Sequence, residues 1–334
     1  MEDFKGSNLS PMEKRVLKEL DIDARQGISS IGSKLKISKQ AVTYHIEKMK
    51  KKGFIKEFLT YYDTNKLGYT FYNIVIKLKY TTKDNLNNVI GKLKAIPNVV
   101  WVSTFRGEWQ MIVSILAKDV GEFSFYLEEV LSSLKGNMLD YHFFIVLSAS
   151  QLGYKKLHSK VAEKHDSRVK HSKISKEDMV VFSDNDLKVL GILANNAQMS
   201  IVDIAKNTGL TIEKARYSLK KMEAEKVIQG YKPLVDVAKL GYLWNIMFLR
   251  LKSSSEAEKK KMIDFLEGMH EVCYVVRCVG NCNLMIDIHT KTLDELEEIK
   301  DKISNEFSKI IAYERTVQVV NEYKCTYFPG SLGN

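Results

Sequence analysis

The chain has 334 residues, the length of about two domains, and its 45% hydrophobic and 28% charged residues are typical of a globular protein. These values exclude a single small module and a fibrous or wholly disordered chain. The formal net charge of +10 favours a polyanionic partner such as nucleic acid or an anionic membrane surface.

Membrane-spanning and secreted proteins do not fit the sequence. The longest apolar runs, 143–147 and 242–249, are far shorter than the roughly 18 residues of a membrane span. The first residues form no apolar secretory segment, and the four Cys, all in the last quarter of the chain, do not resemble a disulfide framework. We therefore expect a cytoplasmic protein with reduced thiols and no membrane partner.

Two copies of one pattern follow each other along the chain. At a shift of 173 residues, 9–79 aligns without a gap on 182–252 with about a quarter of the positions identical. The run Lys-Leu-Gly-Tyr occurs in both copies, at 66–69 and 239–242. The chain is therefore a tandem duplication, and each element below is expected twice.

Each copy begins with three predicted helices. Ser10 can cap the first helix, Pro11 suits its first turn and Glu13 completes a capping box. Apolar spacing over 28–35 predicts a short second helix, and Ser38 can cap a third after a tight turn. This order is typical of a helix-turn-helix unit, whose last helix enters the major groove of DNA.

The third helix has one apolar and one polar face. Val42, Ile46 and Met49 form a narrow stripe that should face inward, and 54–62 reads as a β-wing. Gln40 can bond a base edge, and the lysines can neutralise phosphate. The predicted DNA contacts of this copy are Lys39, Gln40, Thr43, Tyr44, His45, Lys48 and Lys51.

Two alternatives stay open for this helix. A plain helical bundle with a solvated lysine face would show the same pattern, although the repetition of the wing and of an outward Tyr favours DNA binding. His45 lies beside the apolar stripe, so it is either a partly packed flank residue or a DNA contact.

The second half of each copy has the order βαββαβ. The predicted elements of the first copy are strands over 71–80, 99–105, 111–117 and 138–148 and helices over 84–95 and 120–134. Residues 106–110 form a hairpin with Gly107 at its bend. This is the ferredoxin-like order, so the fold class is α+β, and the open sheet face should pack on a second sheet.

The segment between the copies is polar and carries a net charge of +4. Its His158, His165 and His171 have spacings that match no ordinary metal site. We predict a solvated linker here. The predicted division is a winged helix-turn-helix over 1–63, a ferredoxin-like domain over 64–150, a basic linker over 151–181, a second winged helix-turn-helix over 182–236 and a second ferredoxin-like domain over 237–328.

The second copy is less basic where it would read DNA. Its helix-turn-helix segment, 182–235, has a net charge of +2, whereas the first, 9–62, has +6. Glu213 and Ala224 replace Gln40 and Lys51, so weaker DNA binding is expected. The candidate contacts of this copy are Lys214, Arg216, Tyr217 and Lys221.

The winged helix-turn-helix, the Lys-Leu-Gly-Tyr run and the βαββαβ order together resemble the Lrp/AsnC family, the feast/famine transcription regulators. The resemblance occurs in both copies. The resemblance implies N-terminal DNA binding and a C-terminal RAM domain that dimerises sheet to sheet and binds amino acids or related small effectors. The hairpin resembles the family's Gly-Asp-x-Asp effector loop, but both copies lack the second Asp, which argues against a standard amino-acid ligand. The candidate effector residues are Gly107, Glu108, Trp109, Gln110, Gly280, Asn281 and Asn283.

The expected function is that of a sequence-specific transcription regulator that binds double-stranded DNA and self-associates as a pseudo-dimer or homo-oligomer.

Trp109 either packs on a ligand or fills the sheet interface, and the second interpretation is favoured. No catalytic constellation or cofactor motif is present in the sequence.

The alternatives to a DNA-binding regulator are a zinc site, an enzyme and an oligomerisation module. A zinc site of Cys273, Cys278 and Cys282 with His270 or His289 is disfavoured, because Cys273 and Cys278 should point to opposite strand faces. The enzyme alternative is a siroheme decarboxylase, which resembles two fused Lrp-like modules. Its candidate tetrapyrrole contacts are Arg106, His142 and Arg277. A third class is an oligomerisation or corepressor module without DNA contact.

Overall fold

The computed structural model describes residues 9–80, 82–154, 169–171 and 180–332. Most of the predicted linker, including His158 and His165, lies outside these ranges. In the part of the chain that is described, no helix is long and apolar enough to cross a membrane.

The two copies have the same order of elements, as the repeat predicts. The first copy comprises α1 (Pro11–Ile22), α2 (Ile28–Leu35), α3 (Lys39–Lys51), β1 (Ile55–Tyr62), β2 (Thr70–Leu78), α4 (Lys83–Ala95), β3 (Val99–Arg106), β4 (Met111–Ala117), α5 (Val120–Ser133) and β5 (Met138–Gln151). A short strand, β6 (Val169–His171), follows. The second copy comprises α6 (Asp184–Asn195), α7 (Ile201–Thr208), α8 (Ile212–Ala224), β7 (Ile228–Val235), β8 (Leu243–Leu251), α9 (Glu256–Gly268), β9 (Val272–Gly280), β10 (Leu284–Thr290), α10 (Leu293–Phe307) and β11 (Ile311–Cys325).

The predicted start of the first helix is confirmed. The Ser10 hydroxyl accepts from the backbone N–H of Glu13, and the Glu13 carboxylate accepts from the backbone N–H of Ser10, forming a complete capping box. Ser183 and Asp186 form the same reciprocal pair at the start of α6. Such a box satisfies two backbone donors that a helix start leaves free.

The two helix-turn-helix units form a single body with one hydrophobic core. β1 pairs antiparallel with β7, its counterpart in the other copy, so each predicted wing strand finds its partner across the duplication rather than in a hairpin of its own. The Ala24 backbone N–H donates to the Tyr231 carbonyl at 2.9 Å, and Ala197 donates to the Phe58 carbonyl at 3.1 Å. These equivalent bonds give the pair of units an approximate two-fold symmetry.

The two ferredoxin-like units close into one antiparallel barrel. The sheet has nine strands in the order β2-β4-β3-β11-β8-β10-β9-β5-β6, and β2 also pairs with β5. Leaving out β6, the ring of strands is therefore complete, and it is joined across the copies by β3 with β11 and β5 with β9. The pseudo-dimer is thus built within one chain. Closure removes the exposed sheet edges that two separate units would leave.

Glycine is required where the strands of the two copies cross. Gly107 has φ +143°, and a Cβ there would lie 2.9 Å from Cγ1 of Val317 on β11. Gly280 has φ +124°, and a Cβ there would lie 3.0 Å from the carbonyl oxygen of Phe143 on β5. The predicted Gly-centred hairpins are therefore the points where each copy touches the last strand of the other.

Among its described residues, the linker departs from the expected solvated segment at two places. Gln151 and Leu152 are buried, since β5 continues past the predicted boundary at 150, and β6 is the second place. β6 pairs with the end of β5, and Val169 is 3% exposed against Leu59 and Tyr61 of β1. The hydrophobic Val169 thus anchors the segment at the junction between the barrel and the paired strands β1 and β7.

Candidate functional site

The third helix of each copy buries one face and exposes the other. On α3 the predicted stripe of Val42, Ile46 and Met49 is at most 5% exposed. The exposed residues of α3, here named the first reading face, are Lys39, Gln40, Thr43, Tyr44, Glu47, Lys50 and Lys51. The exposed residues of α8, here named the second reading face, are Ile212, Glu213, Lys214, Arg216, Tyr217, Lys220, Glu223 and Ala224.

Each reading face presents an aromatic ring at the same position. Tyr44 is 60% exposed and Tyr217, its counterpart, is 70% exposed. A ring kept in solvent contributes little to the core, and its hydroxyl and flat surface suit contact with phosphate, sugar or a base. Equivalent exposed tyrosines in both copies therefore indicate a contact surface.

The charges of the first reading face are only partly compensated. Lys50 pairs with Glu47 at 3.1 Å. Lys39 and Lys51 form no ion pair with any residue in the described ranges. The second reading face instead has the carboxylate of Glu213 at the place of Gln40. The first reading face is therefore the more favourable of the two for a phosphate backbone.

Lys48 and Lys221, two of the predicted DNA contacts, are bound to the first helix of their own copies. Lys48 Nζ lies 2.8 Å from Oε1 of Glu13, whose side chain is 1% exposed. Lys221 Nζ lies 2.8 Å from Oδ2 of Asp186, whose side chain is 2% exposed. Each lysine thus joins the first and third helices of its copy, and its charge is compensated within the chain. Sequence reasoning did not identify this pairing.

These ion pairs keep the acids charged. Burial alone would raise the pKa of Glu13, but hydrogen bonds from Lys48 and from the Ser10 backbone outweigh it, so the pKa is lowered. Burial opposes ionisation of Asp186 in the same way, and the bond from Lys221 lowers its pKa. The hydrogen bond to Glu13 in turn raises the pKa of Lys48. Both pairs therefore persist at neutral pH and fix the tilt of the third helix.

His45 is half-buried beside the apolar stripe. Its Nδ1 is buried with no hydrogen-bond partner among the residues described, and its ring meets that of Tyr44 edge-on at a centroid distance of 5.5 Å. This placement fits the packed-flank alternative, while a DNA contact through His45 stays a prediction.

The first predicted effector hairpin is occupied by contacts within the chain. Glu108 Oε1 accepts from Arg315 at 2.9 Å, which joins the two copies. The Gln110 side chain accepts from the Leu78 backbone at 3.0 Å and donates to the Gly107 carbonyl at 2.8 Å. Gln110 therefore closes the hairpin, and Glu108 ties it to β11.

Trp109 is a core residue. It is 5% exposed among the buried side chains inside the barrel, and its ring meets His142 edge-on at 4.8 Å. This placement fits the favoured interpretation, in which Trp109 fills the sheet interface, while packing of Trp109 on a ligand stays a prediction. Cys282 occupies the equivalent place in the second copy and is 4% exposed.

The second hairpin is also held by its own chain. Asn283 Oδ1 accepts from the Leu251 backbone at 2.8 Å, and Asn281 contacts His142 of the first copy. Arg250 donates to the Gly280 carbonyl. The polar groups assigned to an effector here thus have structural partners.

The residues proposed for a tetrapyrrole do not share one set of contacts. His142 meets Trp109 and Asn281 at the hairpins. Arg277 instead donates to Glu256 of α9 at 3.0 Å. Arg106 is exposed at the end of β3.

The cysteines separate into two environments. Cys278 lies in the barrel core with Cys282, and burial raises its pKa. Cys273 Sγ lies 3.2 Å from Nδ1 of His289. Within the described ranges, no group of three or more His, Cys, Asp or Glu side chains is arranged to hold a metal ion.

A cavity that sequence reasoning missed lies where the barrel meets β1 and β7. We call it the junction cavity; its volume is about 140 Å³. The residues that line it include Tyr61, Trp101, Gln151, Trp244, Asp287 and Glu322. The signal that could have revealed it is the acidic substitution between copies, since Asp287 and Glu322 stand where the first copy has Ser114 and Ala149.

Family models match both halves of the first copy and one half of the second. The winged helix-turn-helix DNA-binding model matches residues 9–56 and 182–229. The Lrp/AsnC ligand binding domain model matches residues 73–151.

Curated relatives include transcription regulators about half as long as this chain. The chain is 30% identical over 115 residues to the regulatory protein AsnC of Haemophilus influenzae, covering 34% of this chain and 75% of that protein. It is 28% identical over 132 residues to an uncharacterised helix-turn-helix transcriptional regulator of Pyrococcus abyssi, covering 38% of this chain and 86% of the relative.

Among solved structures, the siroheme decarboxylase NirDL resembles the whole chain. The TM-score is 0.60 at 14% identity, and the match covers 95% of this chain and 93% of that one. At this identity the likeness concerns the fold, including the tandem arrangement of both modules.

Proposed function

Since the chain belongs to the Lrp/AsnC family of transcription regulators, we propose that it is a sequence-specific DNA-binding regulator in which the first reading face makes the main contact. The observation that carries this proposal is the exposed Tyr44 on the same helix face as Gln40, Lys39 and Lys51, with Tyr217 exposed at the same position of the second copy. In this proposal Gln40 reads a base edge, and Lys39 and Lys51 bind phosphate.

Lys48 and Lys221 take a different part in the proposal. Their ion pairs to Glu13 and Asp186 orient the third helices, so these lysines position the reading faces and contribute little charge to the DNA backbone. His45, Thr43, Lys214 and Arg216 remain proposed contacts at the edges of the two faces. Chains that each carry two reading faces can also associate further on DNA, and we propose self-association of that kind.

The test is binding of the full chain to a pool of random-sequence duplexes over a series of salt concentrations. Lys51→Ala should weaken binding and reduce the slope of log affinity against log salt by about 1. Lys302→Ala, at an exposed position on α10, is the matched control and should leave both unchanged. Equal behaviour of the two variants would contradict the assigned face.

The enzyme alternative rests on the fold shared with NirDL, which has also been solved with an iron-uroporphyrin III analogue. The junction cavity, at about 140 Å³, is well below the roughly 300–1,000 Å³ typical of larger ligand pockets. The candidate tetrapyrrole contacts Arg106, His142 and Arg277 do not line it, which favours regulation over tetrapyrrole chemistry. A Soret band in the purified chain, or tetrapyrrole binding tighter than DNA binding, would reverse the ranking.

A further inference from the structure

The junction cavity contains hydrogen-bond acceptors that lack donors. Asp287 Oδ2 accepts from the Trp244 indole at 3.1 Å, but Oδ1 is buried and has no hydrogen-bond partner among the described residues. Gln151 is 6% exposed, and its Oε1 is likewise buried without a partner in the described ranges. A buried acceptor without a donor destabilises the fold because its lost hydration is not replaced by a hydrogen bond. Both atoms would therefore gain from a ligand that donates.

Comparison of the two copies shows that this arrangement is specific to the second one. In the first copy, Ser114 on β4 faces Asn73 on β2, and the two side chains are hydrogen-bonded at 2.5 Å. At the equivalent place Asp287 faces Ile246, which has no polar side-chain atom. The first copy thus satisfies its polar pair internally, whereas the second copy sets a carboxyl group opposite hydrocarbon.

A second carboxyl group belongs to the same cavity. Glu322 Oε1 accepts from the Trp101 indole at 3.1 Å, and its Oε2 lies 3.9 Å from Lys56 Nζ. The first copy has Ala149 at the equivalent position. Two acids, each fixed by one indole, therefore line one cavity, and Lys56 lies near the second of them.

The size and walls of the cavity limit what can bind. Its volume of about 140 Å³ is close to the roughly 150 Å³ of an apolar cavity that holds benzene. The walls include the indoles of Trp101 and Trp244 and the ring of Tyr61, and aromatic faces attract a cation. A single ring or a short branched chain with one cationic donor group matches these walls.

We propose that the junction cavity binds a compact primary amine, whose ammonium group donates to Asp287 Oδ1 and Gln151 Oε1 while its hydrocarbon part packs against the two indoles, whose ring centroids lie 6.5 Å apart. This site is distinct from the hairpins at Gly107 and Gly280, which do not line it.

The position of the cavity connects it to the reading faces. Tyr61 comes from β1 and Leu234 and Val235 come from β7, the strands that directly follow the two helix-turn-helix units. A ligand here contacts the barrel and both strands at once. Amine binding should therefore change DNA affinity, a consequence that rests on the proposed function.

The binding test uses benzylamine as the probe and benzyl alcohol as its matched neutral control, with the full chain in a titration calorimeter. Two of the cavity walls are indoles, so tryptophan fluorescence provides a second readout. Benzylamine should bind one molecule per chain and shift the fluorescence, and benzyl alcohol should bind at least about tenfold more weakly, because it has no charge-assisted hydrogen bond.

Variants locate the site. Asp287→Asn and Gln151→Leu should each weaken benzylamine binding, the first by about tenfold or more, whereas Asp264→Asn, an exposed acid of α9 at 58% exposure, should not. Because the two variants alter different strands, loss of folding in one leaves the other to decide. Equal binding of amine and alcohol, unchanged binding in both cavity variants, or no binding would overturn the site.

The regulatory consequence is tested separately. DNA affinity should change at saturating benzylamine in the parent chain and stay constant in Asp287→Asn. Benzylamine binding with unchanged DNA affinity would overturn the coupling. Benzylamine binding by a chain that binds no DNA would overturn the proposed function and leave the amine site supported.

Discussion

Replacing Asp287 by Asn should stabilise the protein at alkaline pH. Burial raises the pKa of Asp287 to about 7 from its usual 3.8, against the hydrogen bond from Trp244. Between these two values the folded chain holds a proton that the unfolded chain has released, so the free energy of unfolding falls as pH rises. Asn keeps the shape and the acceptor for Trp244 but does not titrate.

The size of the effect follows from the pKa. A pKa raised by about three corresponds to about 4 kcal/mol between the protonation states. The stability difference between Asp287→Asn and the parent should therefore grow from near zero at about pH 4 to a plateau of at most about 4 kcal/mol above about pH 7. The other titratable groups lining the cavity are Tyr61, Tyr154, Cys273, Tyr274, His289, Glu322, Cys325 and Tyr327. They are present in both proteins, as is Lys56 beside Glu322, and among them the charge of Glu322 adds to the rise in the pKa of Asp287.

The assay is urea unfolding of both proteins over a pH series, with Asp264→Asn as the exposed control. A stability difference that is independent of pH, or that shrinks as pH rises, would refute the raised pKa of the Asp287 carboxyl group. The control should show no trend of comparable size, because an exposed pair such as Lys260 with Asp264 contributes little.

Three further predictions follow from the contacts. Lys48→Met should lower the urea midpoint of unfolding above pH 4.5, the usual pKa of Glu13. The difference in midpoint between variant and parent should vanish as the pH falls below 4.5, because the ion pair stabilises the fold only while Glu13 is ionised. Lys51→Met is the control and should leave the midpoint unchanged. Trp109→Ala should lower the free energy of unfolding by about 3–5 kcal/mol in denaturant, because the indole is 5% exposed. Glu108→Gln should lower it by less than about 1 kcal/mol, since the ion pair of Glu108 with Arg315 is exposed. Similar losses in the two variants would contradict the core position of Trp109. Gln40→Ala should broaden the consensus selected from random duplexes with little change in the salt slope, and an unchanged consensus would remove Gln40 from the base contacts.

Local features could be read from the sequence because they depend on neighbours in the chain. The capping box at Ser10 and Glu13 needs only a spacing of three residues. The stripe of Val42, Ile46 and Met49 follows from the helical period, and all three are buried. Because the second copy repeats the pattern of the first, the same features are expected at its equivalent positions.

Long-range pairings could not be derived in this way. The local pattern of a strand does not indicate which strand it pairs with. The pairing of β1 with β7, and of β5 with both β2 and β9 in the barrel, therefore could not be predicted. For the same reason Lys48 was assigned to DNA from its helical face alone, although Glu13 lies 2.8 Å away once α1 and α3 pack.

The junction cavity was missed because its acids look ordinary in the sequence. Asp287 and Glu322 sit on strands whose alternation predicts one buried and one solvated face, and an acid there is normally assigned to solvent. Only the closed barrel turns that face inward. Comparison of the copies, with Ser114 and Ala149 at the same positions, is the one sequence observation that points to this site.

The central claim is that α3 carries the main DNA-reading surface. It is tested most directly by selecting bound sequences from random duplexes with the full chain, and then measuring their affinity for chains altered at one reading face at a time. We expect a common consensus, with Tyr44→Ala together with Lys51→Ala reducing affinity far more than Tyr217→Ala together with Lys220→Ala. Absence of any salt-dependent selection, or equal losses from the two pairs of substitutions, would contradict it.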